Sequence, residues 1–250
     1  MPTIAIIPAR LGSTRFPRKV LASQTGQSLI SHVWERARAA PSIDRVVVAT
    51  DDAEVVNAVD GFGGESVMTR ADHPNGTSRL AEAAALLGLA DDAIIVNVQG
   101  DEPELDPGLI DAAVAVARET RAEVTTVASP FGSGESVDDP NIVKVVRRLD
   151  GTALYFSRAA IPHVRSGGLP VTPLRHVGIY LYRHAFLKVY AKMGSSPIEQ
   201  CEMLEQLRVL EHGYSIAVVE HAFFGRGVDT PEQYADFVAR WRKANEASSH

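Results

Sequence analysis

The chain of 250 residues has one cysteine, Cys201. A single thiol excludes an internal disulfide and suits a reducing compartment, so a cytoplasmic location is expected. No apolar run reaches the roughly 18 residues that a membrane-spanning helix needs. The apolar opening, Ile4-Ala5-Ile6-Ile7, is short and runs straight into arginines, unlike a secretory signal. The Asn75-Gly76-Thr77 sequon therefore has no secretory context and is expected to be unmodified. Positive charge is in deficit: 25 Lys and Arg against 31 Asp and Glu give a formal net charge of −6. That balance argues against a nucleic-acid partner, and no basic stripe follows the first loop. Internal repeats and linker-like stretches are lacking too, so residues 1–250 are read as one domain. A hydrophobic content of 45% and a charged content of 22% are those of an ordinary globular protein with a sizeable core.

What the sequence does have is concentrated in its first nineteen residues. The β-branched run Ile4–Ile7 empties into Pro8-Ala9-Arg10-Leu11-Gly12-Ser13-Thr14-Arg15-Phe16-Pro17-Arg18-Lys19. A buried strand ending in such a loop places it at the carboxyl edge of a parallel sheet, where ligands bind in open α/β folds. Four cations and the bare amides around Gly12 and Ser13 suit a polyphosphate.

Strand, loop and helix then repeat. A helix is expected over Leu29–Ala37, a strand over Ile43–Thr50, a helix through Val55 and Ala58, and a strand over Ala93–Val98. Asp51 and Asp52 read as a helix cap or as ligand contacts. The glycines 61, 63 and 64 fail the dinucleotide spacing. The polar loop Thr69–Arg79 reads either as a base-recognition segment or as a plain connection capped by Thr77 or Ser78, before a helix over Leu80–Leu87. Asp101, at a strand tip just past Gly100, suits a divalent cation. Asp106 is better placed to cap the helix around Leu109–Ala117. This succession predicts an α/β fold with a doubly wound, mostly parallel sheet.

Beyond the strand Val124–Ala128, Ile142–Leu149 alternates as an exposed or edge strand, with Lys144 and Arg147 outward. It turns at Asp150-Gly151 into Ala153–Phe156 as an antiparallel excursion. A loop over His163–Pro173 and a strand over Arg175–Tyr182 follow. Ile198–Leu210 reads as one amphipathic helix with its acids on the solvated side. Ser215–Glu220 is the last strand. Asp229 reads by itself as a cap for the closing helix Pro231–Arg242, and the tail from Ala244 as frayed.

Seven segments in order carry a resemblance: Pro8–Lys19, Thr69–His73, Asn97–Pro103, Leu154–Arg158, Arg175–Tyr180, Glu202–Arg208 and Gly227–Pro231. Over nearly its whole length the chain resembles the 3-deoxy-manno-octulosonate cytidylyltransferase family. Arg18 departs by standing where many relatives have glycine, and Asn75 and Ser78 depart in the nucleotide loop. The resemblance implies a Rossmann-like nucleotidyltransferase fold with helices on both faces of the sheet. It implies a homodimer, which the apolar excess in Val145–Ile161 also suggests. It implies transfer from CTP to 3-deoxy-manno-octulosonate (Kdo), giving CMP-Kdo and pyrophosphate for lipopolysaccharide synthesis, with Mg2+ as cofactor. Carried over, Ala9, Arg10, Arg15 and Lys19 grip the nucleotide phosphates, and Arg70, Asp72, Gly76 and Thr77 lie against the cytidine. Asp101 and Asp229 hold magnesium and, with Arg10 and Lys19, form the catalytic set. Gln99 faces both substrates, while Arg158, His176, Tyr180, Glu205 and Gln206 form the sugar pocket, Arg158 as a fork for the sugar carboxylate. His176 is the one candidate general base, and the base is left unassigned. An 8-amino-Kdo or sialic-acid acceptor, or a CTP-binding module without turnover, are the alternative readings.

Overall fold

Ile4, Ala5, Ile6 and Ile7 are all 3% exposed or less, as a strand covered on both faces must be. The computed structural model describes residues 1–73 and 75–248; Pro74 of the Thr69–Arg79 loop and the last two tail residues lie outside it. In chain order the early elements are β1 (Thr3–Ala9), α1 (Leu29–Arg38), β2 (Arg45–Thr50), α2 (Ala53–Gly61), β3 (Glu65–Met68) and α3 (Gly76–Leu86). Then come β4 (Ile94–Asn97), α4 (Pro107–Glu119), β5 (Val124–Pro130), β6 (Lys144–Arg147), β7 (Ala153–Ser157) and β8 (Leu174–Arg183). The last are α5 (His184–Tyr190), α6 (Pro197–Glu202), α7 (Gln206–Glu211), β9 (Ile216–Glu220) and α8 (Pro231–Ser248). The α/β reading holds. The chain falls into two compact units, one of residues 3–89, 97–107 and 225 onward, the other of 1–2, 90–96 and 108–224.

In the first unit β1, β2 and β3 pair in parallel, with Ala9 opposite Thr50 and Thr50 opposite Met68. Their carboxyl ends therefore share one edge. The segment after β4 joins them there: Val98 donates to the Ile6 carbonyl at 3.2 Å. Ser28 caps α1, and Asp52 caps α2 by accepting from Glu54 N, as the capping reading has it. The cap of α3 is Asn75, not Thr77 or Ser78; its side chain accepts from Ser78 N at 2.9 Å, and the helix begins a turn earlier than expected. Leu29 of α1 packs with Val228, Tyr234, Phe237 and Val238 of the closing segment, and Phe16 of the first loop lies against this cluster. The closing helix runs to Ser248 rather than fraying from Ala244.

The second unit has the strand order β4-β8-β5-β9. β5 runs parallel to β9 and antiparallel to β8, and β6 pairs antiparallel with both β7 and β8. Two expectations are corrected here. β6 is flanked on both sides, so it is no edge strand, and Lys144 is fully buried; its ammonium donates to the carbonyls of Asp139 (2.9 Å) and Arg158. A buried cation that finds carbonyl acceptors overrides the polar-out pattern. Ile198–Leu210 is not one helix. It breaks at Met203, which takes the left-handed conformation (φ 53°) between α6 and α7. The break lets the acids of the segment turn inward. Glu199 forms a double hydrogen bond with Arg208, and Glu211 accepts from Ile198 N and Glu199 N.

Candidate active site

The loop after β1 is tightened by its own backbone. Ser13 N and Arg18 N both donate to the Leu11 carbonyl, and Lys19 opens a short 3-10 turn over Lys19–Leu21. Arg18 has φ 62°, the left-handed region that favours glycine, which explains why glycine is the residue expected there. Here the guanidinium is tied to Glu54 instead, through Nη1 to Oε1 at 3.1 Å.

This loop walls a cavity of about 420 Å³ in the first unit. Of the residues expected at the nucleotide, Ala9, Arg10, Arg15, Lys19, Gly76, Gln99, Asp101 and Asp229 line it. Arg70, Asp72 and Thr77 are not among its described lining residues. Arg70 and Asp72 are exposed and face each other at 3.4 Å, and Thr77 is buried in the first turn of α3.

Asp101 and Asp229, 128 positions apart in sequence, meet because Val228 N donates to the Asp101 carbonyl at 2.8 Å. A Cβ on Gly227 would lie 3.1 Å from Glu102 Oε1, so the two segments run close together. Lys19 Nζ reaches both carboxylates, Asp101 Oδ2 at 2.7 Å and Asp229 Oδ1 at 3.1 Å. Arg15 Nη2 lies 3.0 Å from the same Asp229 oxygen. Among the described residues no cluster of three or more His, Cys, Asp or Glu could hold a metal alone. Magnesium, however, commonly rests on one or two carboxylates and completes its shell with substrate phosphates and water. Two hard carboxylates drawn toward one cation fit that donor set.

Among the lining residues not assigned to the site from sequence, His73, Asn75 and Arg79 bring polar side chains from the Thr69–Arg79 segment. His73 Nδ1 lies 3.2 Å from Ser78 Oγ, and its Nε2 bonds Glu82. Burial works to raise the Glu82 carboxyl, but the hydrogen bonds from His73 and Arg70 N outweigh it and hold it low. The Arg79 side chain is 5% exposed and reaches Thr69 Oγ1 at 2.7 Å and Asp51 at 3.3 Å. The usable signal was that the first turn of α3 and the loop after β1 lead from the same sheet edge.

Arg158, His176, Tyr180, Glu205 and Gln206 all belong to the second unit, whereas Gln99 belongs to the first. His176 Nε2 lies 2.9 Å from Thr126 Oγ1, and its ring stands edge-on to Phe156 and 5.2 Å from Tyr180. Burial pushes the imidazole down to about 3. Such a group is neutral but a weak base at neutrality, so positioning suits it better than proton abstraction. Burial raises the Tyr180 phenol well above its usual range, and Glu205 adds to that. Glu205 also accepts from Tyr190 Oη at 3.4 Å, and Gln206 is buried. Arg158 is held from several sides. Its Nε donates to the Glu202 carbonyl, Nη1 to Pro140 and Nη2 to Met203, which takes three of its five N–H donors. Glu202, unassigned from sequence, accepts from Arg158 N and Ser157 Oγ at 2.8 and 2.7 Å.

A cation-rich strand-edge loop facing two carboxylates, on an α/β scaffold, is an arrangement suited to phosphoryl or nucleotidyl transfer. A family profile described as cytidylyltransferase matches residues 4–216, and the chain belongs to the cytidylyltransferase family. A 3-deoxy-manno-octulosonate cytidylyltransferase of Syntrophotalea carbinolica is 49% identical, over 97% of this chain and 99% of that one. One of Syntrophobacter fumaroxidans is 48% identical, over 93% and 94%. The solved structure of CMP:2-keto-3-deoxy-manno-octonic acid synthetase complexed with CTP shares 39% identity. It superposes with a TM-score of 0.91 over 98% of this chain and all of that one. A cytidylyltransferase from Leptospira borgpetersenii, at 17% identity and a TM-score of 0.59, shares the fold.

Proposed function

We propose that the chain transfers CMP from CTP to Kdo, releasing pyrophosphate, and that it acts in the cytoplasm in lipopolysaccharide synthesis. The observation that carries this reading is the convergence of Arg10, Arg15 and Lys19 with Asp101 and Asp229 on one cavity, in a chain about half identical to enzymes named for this reaction. The anomeric hydroxyl of the sugar attacks the α-phosphorus in line, its proton is lost, and pyrophosphate leaves. Such a displacement needs alignment and charge neutralisation more than covalent help.

Arg10 and Arg15 flank the phosphates and offset charge that grows on the leaving pyrophosphate. Of the residues expected at the cytidine, Gly76 lines the cavity, and we assign the neighbouring lining residues His73 and Arg79 to the base in place of Arg70, Asp72 and Thr77. Asp101 and Asp229 would hold magnesium, which when bound would neutralise phosphate charge and lower the pKa of an attacking hydroxyl. Arg158, His176, Tyr180, Glu205 and Gln206 of the second unit are assigned to the sugar, with the donors of Arg158 not committed to carbonyls offered to its carboxylate. The catalytic unit is proposed to be a homodimer. Of the stretch Val145–Ile161, Val145, Ala153 and Phe156 are buried within the second unit, which leaves Leu149 and Leu154 exposed for a partner.

The test is pyrophosphate release with CTP and magnesium, offering Kdo, 8-amino-Kdo and sialic acid in parallel. Fastest release with Kdo is expected. Release only with another acceptor moves the substrate and keeps the chemistry. No release with any acceptor, despite CTP binding, overturns the transferase reading. Asp101→Asn is expected to lose nearly all turnover while its melting curve stays that of a folded protein.

A further inference from the structure

Lys19 has no donor left for a phosphate. An ammonium offers three N–H groups, and here they go to Asp101 Oδ2 at 2.7 Å, the Val228 carbonyl at 3.0 Å and Asp229 Oδ1 at 3.1 Å. The side chain is 13% exposed, so water has little access to replace any of the three. The same two carboxylates are the ones assigned to magnesium. Ammonium and divalent cation therefore compete for the same oxygens. Arg15 adds to the competition by sitting on Asp229 Oδ1 as well.

We propose that Lys19 is a stand-in cation that closes the metal site of the nucleotide-free protein, so that the divalent ion enters together with the nucleotide. The proposal rests on the assignment of Asp101 and Asp229 as metal ligands. Metal entering alone meets three obstacles. It must shed water that magnesium releases reluctantly, displace an ammonium already satisfied by three acceptors, and leave that ammonium beside a dication with nowhere to donate. A nucleotide removes all three. Its phosphate oxygens give Lys19 new acceptors, supply the metal with further oxygen ligands and offset the added positive charge. Binding of the two is thus coupled, and by linkage each must raise the affinity of the other by the same factor. A lysine that merely braced two carboxylates for folding would predict no such coupling.

The probe is Mn2+, counted as free ion by electron paramagnetic resonance, with protein-bound ion read from water-proton relaxation. Nucleotide-free wild type is expected to bind Mn2+ weakly. Lys19→Met, which is unbranched, one heavy atom shorter and uncharged, is expected to bind at least about tenfold more tightly, since one adjacent positive charge is gone. Adding Asp101→Asn to Lys19→Met is expected to cancel that gain. Lys19→Gln serves in place of Lys19→Met if the apolar variant melts early. Equal affinity in wild type and the Lys19 variants overturns the proposal, as does a gain that survives Asp101→Asn. The metal assignment is judged separately, in wild type saturated with CTP. Loss of bound Mn2+ there on Asp101→Asn keeps the assignment even if the stand-in role falls. No loss there removes both.

Discussion

Val228 donates its backbone N–H to the carbonyl oxygen of Asp101 at 2.8 Å, and this one bond registers two carboxylates from distant parts of the sequence. Gly100, one residue earlier, makes the approach on the other side: a Cβ there would sit 2.9 Å from the Pro8 carbonyl oxygen. That contact is to backbone, so no side chain can swing aside. Gly100→Ala is expected to push the Asp101 turn away from the start of the phosphate loop. Overpacking of this kind costs about 1–3 kcal/mol, readable as a lower urea midpoint, and CTP affinity should fall with it. An unchanged midpoint with unchanged CTP affinity would show that the two loops are not held by this contact.

Arg18 holds a conformation that an L side chain adopts at a cost, in return for an exposed pair with Glu54. Exposed pairs contribute little and are screened by salt. Arg18→Gly is therefore expected to leave Tm unchanged or to raise it, with CTP affinity retained, since Arg18 does not line the cavity. A clear fall in Tm that high salt also produces in wild type would mean that the Glu54 pair outweighs the backbone relief.

Much of this was legible because period and punctuation agree. The continuous apolar runs of β1, β2 and β4 and the polar loops after them mark one sheet edge without any tertiary knowledge, and Arg10, Lys19, Gln99 and Asp101 follow from that edge. Where the sequence misled, a side chain had a tertiary partner that no local pattern reports. Lys144 reads as a solvated position of an alternating strand until two carbonyls are known to await it. Glu199 and Glu202 read as the wet side of a helix until the turn at Met203 and the partners Arg208 and Ser157 appear. His73 and Arg79 were passed over because cavity lining depends on how a loop folds back, and a loop has no period.

His176 gives the second unit a pH signature. Its folded pKa is about 3, against an ordinary value of 6.5, because burial disfavours the charged ring. Between those values the unfolded chain binds a proton that the native state does not. The stability this represents is full above about pH 6.5 and is lost as pH falls toward 3, at about 1.4 kcal/mol for each pH unit inside that window. Urea unfolding of wild type and His176→Gln at pH 7 and pH 5 checks it. The variant should lose less stability between the two pH values than wild type does. Equal losses would mean that the ring is not held neutral by its surroundings.

Lys144 supplies the sharpest stability test, because its ammonium is buried and its donors satisfy carbonyls at two separate turns, those of Asp139 and Arg158. Burial lowers its pKa, with Asp139 opposing, so the native state holds its proton less firmly than the unfolded chain. The unfolded chain consequently binds the extra proton below the ordinary lysine value, and this group's contribution to stability grows as pH rises through that window. Lys144→Met keeps the volume and removes both the charge cost and the hydrogen bonds. The Arg158 carbonyl, deprived of this donor, costs about 1–3 kcal/mol when water cannot reach it, whereas the Asp139 carbonyl keeps Ile142 N at 3.2 Å, and relief of the buried charge offsets part of the loss. A net loss of stability is expected. It should be accompanied by faster amide exchange at Arg158 N and Ser157 N, since the turn that Glu202 also grips is released on one side. If Lys144→Met instead stabilises the protein and leaves exchange at Arg158 unchanged, the charge cost dominates and the lysine does not organise that turn.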